Sequence, residues 1–86
     1  PNLIEHIPLA PDYDIVEVAV PDPFIGWSLG DIDLRRHHDV VVIAVKEILT
    51  DRIHLIPSAH FVFAADSAMI LMGKKENLEK LKIGVQ

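Results

Sequence analysis

The 86 residues carry a formal net charge of −5 at pH 7 and no cysteine, and half of them are apolar. The acidic balance excludes a protein that grips nucleic-acid phosphates, which needs a basic face to release counterions. The lack of thiols removes disulfides, thiolate metal sites and cysteine nucleophiles together.

A single small domain of this length buries on the order of 60% of the surface its unfolded chain exposes. With positive mean hydropathy on top of that, some apolar surface is expected to be covered by a partner, through dimerisation or docking on another domain. No apolar run reaches the roughly 18 residues of a membrane span. The runs at 40–45 and 61–72 are short or broken by Asp66 and Ser67. The chain opens on Pro1 with no signal-like stretch, so it reads as a soluble intracellular piece of something longer, without direct membrane insertion. A disulfide-free domain fits a reducing compartment.

In chain order, residues 14–20 alternate, with Val16, Val18 and Val20 on one face and Ile15, Glu17 and Ala19 on the other. This is a strand with one buried face. Pro21 and Pro23 stop the ladder by removing backbone donors, Phe24 and Ile25 return to the core, and Gly26 turns the chain. Ser28 is placed to cap a short helical segment through Leu29, Ile32 and Leu34, with Asp31 three residues on. Residues 40–46 are apolar on both faces and mostly β-branched, which predicts a central strand. Residues 52–56 read as a returning strand ended by Pro57, and 67–72 as a further strand closed by Gly73. Leu78 and Leu81 then mark an amphipathic helix over 75–82. The fold class is α+β, a small mostly antiparallel sheet with short helices packed on it.

Catalytic chemistry is hard to find. The histidines His6, His37, His38, His54 and His60 invite a metal reading, but their spacing matches no zinc template. Adjacent His37 and His38 point in different directions on a helix or strand. Asp31 and Asp33 could pair as acid and base, yet they read better as local restraints, Asp31 at a helix start and Asp33 bonding nearby amides. Ser28, Ser58 and Ser67 lack the context of a nucleophile elbow, and no glycine-rich phosphate loop occurs. The chain is not expected to be an enzyme. Arg35 offers a planar fork of donors just before a buried strand. On physics alone it is a solvated partner of Asp31, Asp33 or Asp39.

The order Phe24-Ile25-Gly26, Ser28-Leu29, Asp33-Leu34-Arg35, then a β-branched strand and an isoleucine ahead of Pro57, resembles the TrkA-C domain, also called RCK-C. The likeness runs from the 14–20 strand to the terminal helix. It divides the chain into a linker from a preceding domain at 1–12 and the TrkA-C domain at 13–86. The resemblance implies a regulatory, ligand-sensing and dimerisation domain of a potassium uptake or channel system, cytoplasmic and peripheral to a membrane transporter subunit. It implies a homodimer that works with a Rossmann-like (TrkA-N) domain or subunit. Nothing like that Rossmann part is present here, so any NAD or ATP dependence would belong to it. A dimerisation-only module that has lost its ligand, or a regulator of another ion or solute transporter, stays open beside this reading.

In ligand-binding members of the family, two copies hold cyclic di-AMP in a cleft between them. The contacting positions fall here on Leu29, Gly30, Asp33, Arg35, Val40, Val41, Val42 and Pro57. By the resemblance, Leu29, Val40 and Val42 supply apolar walls, Arg35 meets a phosphate of cyclic di-AMP or another small anionic ligand, and Pro57 forms a rigid edge. Two positions depart from the family pattern: Gly30 stands for an apolar side chain, and Val41 for an asparagine whose amide would bond the base or ribose.

Overall fold

The computed structural model describes residues 10–82, so most of the 1–12 linker expectation lies outside the described residues. The chain runs β1 (Tyr13–Ala19), a 3-10 turn (Asp22–Phe24), α1 (Leu29–Ile32), α2 (Leu34–His38), β2 (Val40–Glu47), β3 (Ile53–Leu55), β4 (Ser67–Lys74) and α3 (Lys75–Lys82). Each strand predicted from the sequence is present with ends shifted by no more than two residues and α3 covers the expected 75–82, whereas the helical segment expected to reach Leu34 is split in two and runs on to His38.

Local chemistry sets most of the boundaries. Ser28 caps α1 as expected, its Oγ accepting from the Asp31 amide at 3.1 Å. Asp33 differs from expectation. Its side chain makes no capping bond; it is instead a left-handed residue, at φ 51° and ψ 61°, that ends α1 and starts α2. Aspartate tolerates that conformation better than most side chains. Asp39, at φ 55°, ends α2 the same way and releases the chain into β2. Gly73 was expected to close β4 but lies inside it, paired with Asp14 on one side and Val40 on the other. A Cβ there would sit 2.8 Å from Val40 Cγ1. The missing side chain is what lets the start of β2 lie against the end of β4.

The strands form one antiparallel sheet in the order β1-β4-β2-β3. Facing residues of an antiparallel pair share a side of the sheet. Val18 therefore lies with Met69, and Val16 and Val42 with Leu71, on one side. Ile15 and Val41 lie with Met72, and Ala44 with Leu55 and Ile70, on the other. Pairing skips Ile43 between Val42 and Ala44, a bulge that keeps Val45 on the same side as Val42.

The first side carries the core. Met69, Leu71 and Val45 are fully buried there under Leu34, Leu78 and Leu81 from the helices and Phe24 and Phe63 from the loops. Burying each such side chain stabilises by about 1.5–3 kcal/mol. The ring of Phe63 packs on Phe24 at 5.9 Å and edge-on against Phe61 at 5.8 Å between centroids. Phe63 also ties the two loops together, its carbonyl accepting from Gly26 and its amide donating to the Trp27 carbonyl.

β3 is a short edge strand held at both ends by specific chemistry. Opposite it on β2, Glu47 accepts from His54 Nε2 at 2.6 Å and from Thr50 Oγ1 at 3.0 Å. The His54 bond and then the Thr50 bond hold the Glu47 carboxyl below its ordinary value of 4.5. A depressed carboxylate stabilises the fold above its unfolded pKa, and that contribution is lost as pH falls through the lowered folded value. At the other end, Ile56 takes a left-handed φ of 48° while the residue is 83% exposed. That conformation costs an L-residue roughly 1–2 kcal/mol.

Two outcomes follow for β3. His54→Ala should move the Glu47 carboxyl back up toward 4.5 in a carbon-detected NMR titration, and an unmoved midpoint would mean the bond does not form in solution. Ile56→Gly should raise stability by about 0.5–1 kcal/mol, the relieved strain less the flexibility of glycine. A few degrees' rise in Tm by calorimetry is the expected reading, and a fall would show that the exposed side chain is held by contacts.

Candidate functional site

A groove of about 240 Å³ opens where α1 and α2 meet the first half of β2. Leu29, Gly30, Asp33, Leu34 and Arg35 come from the helical side, Val40, Val41 and Val42 from the strand, and Ala59 from the loop after β3. The left-handed Asp33 creates the concavity by breaking one helix into two single turns that wrap the end of the strand. The loop is hung from the first of these: the Leu29 amide donates to the Phe61 carbonyl at 2.8 Å and the Gly30 amide to the Ala59 carbonyl at 2.9 Å. A Cβ on Gly30 would stand 3.0 Å from that carbonyl oxygen and 3.1 Å from Ala59 Cβ. The glycine thus answers to loop docking in this chain.

The strand side of the groove is open for a reason of topology. β3 pairs only with residues Ala44, Val45 and Lys46, so the first half of β2 has a neighbour on one side alone. The sequence expectation of a central strand holds for the second half of β2 and fails for the first. Because that edge is bare, the groove reaches Val41 as well as Val40 and Val42, although Val41 lies on the opposite side of the sheet.

Charge at the groove comes from Asp33 and Arg35. The expected ion pair of Arg35 with a neighbouring aspartate does not form. Arg36 Nε lies 3.4 Å from Asp33 Oδ2, and among the described residues Arg35 has no ion pair. The reason is helical spacing: Arg36 stands three residues after Asp33 on the same face, whereas Arg35 is two away. Arg35 is left as an exposed, unpaired guanidinium beside apolar walls.

Of the residues singled out in the sequence, Leu29, Gly30, Asp33, Arg35, Val40, Val41 and Val42 come together here. Pro57 does not line the groove. Leu34 and Ala59 do, and the sequence offered no signal for either. Leu34 reads simply as core, and Ala59 is placed only by the long-range bond to Gly30. The histidines are dispersed: His54 serves Glu47, and His37 Nδ1 donates to the Ile32 carbonyl at 3.0 Å. His6 lies outside the described residues, and among these no three histidine or carboxylate side chains converge. Nor is any helix of the described residues long and apolar enough to cross a membrane.

Comparison with known proteins gives these features a context. The K(+)/H(+) antiporter subunit KhtT of Bacillus subtilis (strain 168) is 31% identical over 84 residues, an alignment that covers 94% of this chain and 50% of that protein. The chain thus spans about half the length of the curated relative it matches. Among solved structures, the RCK C domain of the potassium transport protein KtrA in complex with cyclic diadenosine monophosphate superposes with a TM-score of 0.76 at 20% identity, covering 86% of this chain and 85% of that one. The GsuK channel bound to NAD superposes with a TM-score of 0.74 at 17% identity, covering 80% of this chain and 13% of that one. These two share the fold. The TrkA-C domain family pattern matches residues 15–82, nearly the whole described fold, and the chain belongs to the TrkA-C domain family.

Proposed function

We propose that this chain is the regulatory, ligand-sensing domain of a potassium uptake, channel or antiport system, and that its ligand is a small anionic nucleotide of the cyclic di-AMP type. The observation that carries the reading is the groove: Arg35, with no ion pair among the described residues, over walls of Leu29, Val40 and Val42. A guanidinium with no carboxylate partner keeps its fork of donors for a phosphate. The relatives support it, since KtrA's domain of the same size is described with cyclic diadenosine monophosphate and KhtT is an antiporter subunit.

The groove of one chain, about 240 Å³, falls short of the roughly 300–1,000 Å³ of ligand pockets. Two such half-sites facing across a dyad come within that range, and a cyclic dinucleotide has the same two-fold symmetry, with one phosphate for each Arg35. The domain accordingly acts as a homodimer when it binds. A ligand that fits one relative orientation of the two copies shifts the population toward it, and a coupling of about 1–3 kcal/mol is the usual size of such control. The transporter subunit receives that change from a peripheral, cytoplasmic position, and any NAD or ATP dependence resides in a Rossmann-like domain or subunit.

Gly30 and Val41 set the strength of recognition. Val41 brings no amide to a base or ribose, and a polar group that loses its partner on burial costs about 1–3 kcal/mol. Calorimetric titration with cyclic di-AMP should show binding that Arg35→Ala abolishes while the melting temperature stays put, because the exposed side chain adds little to stability. Val41→Asn should tighten binding about tenfold. Absence of heat with the parent chain and with the asparagine variant would reduce the domain to an assembly module.

A further inference from the structure

We propose that a cleft at the end of β2 remote from the Arg35 groove is a second binding site, one that takes a small organic cation: an ammonium group on a short apolar body. Strand register sets its base. Glu47, the last residue of β2, faces Ser67, the first of β4, and facing residues share a side of the sheet. His54 lies on that side too, since it faces Val45, two residues before Glu47 on the same strand. The β2–β3 turn forms one wall and the loop entering β4 the other, joined where the Ile48 amide donates to the Asp66 carbonyl at 2.9 Å. Between them lies a cavity of about 300 Å³, at the lower edge of the roughly 300–1,000 Å³ of small-molecule pockets.

The lining carries the ligand's chemistry. Leu49, Phe61 and Val62 make it apolar, its carboxylates are Glu47 and Asp66, and among the described residues no lysine or arginine lines it. Leu49 is 81% and Val62 54% exposed, so the described residues leave this apolar surface uncovered. Arg52 is near enough to help hold the Glu47 carboxyl low, but it stands outside the cleft. Thr50 donates to one oxygen of Glu47 and His54 to the other. A neutral imidazole can make that bond, which leaves the pair its negative charge, and a carboxylate has about four acceptor positions, so each oxygen has room for a further donor.

Ser67 points to a ligand independently of charge. It lines the cleft, is only 6% exposed, and its hydroxyl makes a single bond of 3.4 Å to the Ala65 carbonyl. A well-formed hydroxyl bond spans about 2.5–3.0 Å, so the oxygen keeps its accepting capacity for a donor inside the cleft. An ammonium brings three donors, one each for Glu47, Asp66 and Ser67. The Phe61 ring attracts a cation as aliphatic surface does not. The site shares no residue with the Arg35 groove.

The test is an NMR titration of the chain at about pH 8, above the ordinary imidazole range, with hexylammonium, and with hexanol and hexanoate as neutral and anionic probes of the same apolar length. Hexylammonium should shift the Phe61, Val62 and Ser67 resonances along a saturating curve. Hexanol should bind about tenfold more weakly, since it lacks charge-assisted bonds, and hexanoate should not bind. Glu47→Gln should weaken hexylammonium binding about tenfold. Because Glu47 also holds β3, Asp66→Asn is the variant that spares the fold, its carboxylate having no ion pair among the described residues; it should weaken binding several-fold with the spectrum otherwise unchanged. Val62→Lys, which brings a tethered ammonium to the rim, should abolish binding, and Arg35→Ala should leave it as it was. Equal binding of hexanol and hexylammonium, no saturable shift, or indifference to Asp66→Asn overturns the proposal. Loss of binding in Arg35→Ala with Val62→Lys unaffected overturns the placement of the cation in this cleft.

Discussion

β4 is the last strand of the described residues and the one on which the others depend, because β1 has no other partner in the sheet and β2 reaches β1 only through it. Both of its edges are hydrogen-bonded, and Met69 and Leu71 at its centre are fully buried. The sheet can close only after some fifty residues have been brought round to place β4 between strands made long before it. Pairings of such sequence separation carry a large entropy of closure and tend to make folding slow. Gly73 shows how tightly this insertion is fitted, since even a methyl group there would strike Val40.

The same order of strands produces the groove. β3 is too short to cover the first half of β2, and the two single-turn helices that precede β2 double back over that bare edge. A left-handed aspartate between them does two things at once. It bends the helices around the strand, and it offers its carboxylate to Arg36, which leaves Arg35 with no ion pair among the described residues. An ion pair worth a fraction of a kcal/mol thus separates the roles of two adjacent arginines.

Val41 belongs to both surfaces, lining the groove through the open edge while its side chain lies with Met72 on the uncovered face. It is also the position where this chain departs from the asparagine expected by family resemblance. Both surfaces thus meet on a single residue of β2.

The sequence by itself determined the elements of this fold, because each is marked locally: period-two alternation in β1, β-branched runs in β2, the Ser28 cap, the Leu78 and Leu81 stripe of α3. Resemblance then carried Leu29, Asp33, Arg35 and the valines of β2 to one site, since they come from one stretch in which spacing is nearly distance. Tertiary structure alone decided the rest. That β2 is bare over its first half depends on how far β3 runs, and Ala59 enters the groove in place of Pro57 because a distant amide, that of Gly30, takes its carbonyl. Which arginine stands free depends on helical phase after a left-handed break. An apolar strand reads alike whether a helix or nothing covers its second face. Which side of the sheet the described helices leave without cover therefore became visible only once they had been placed on the other.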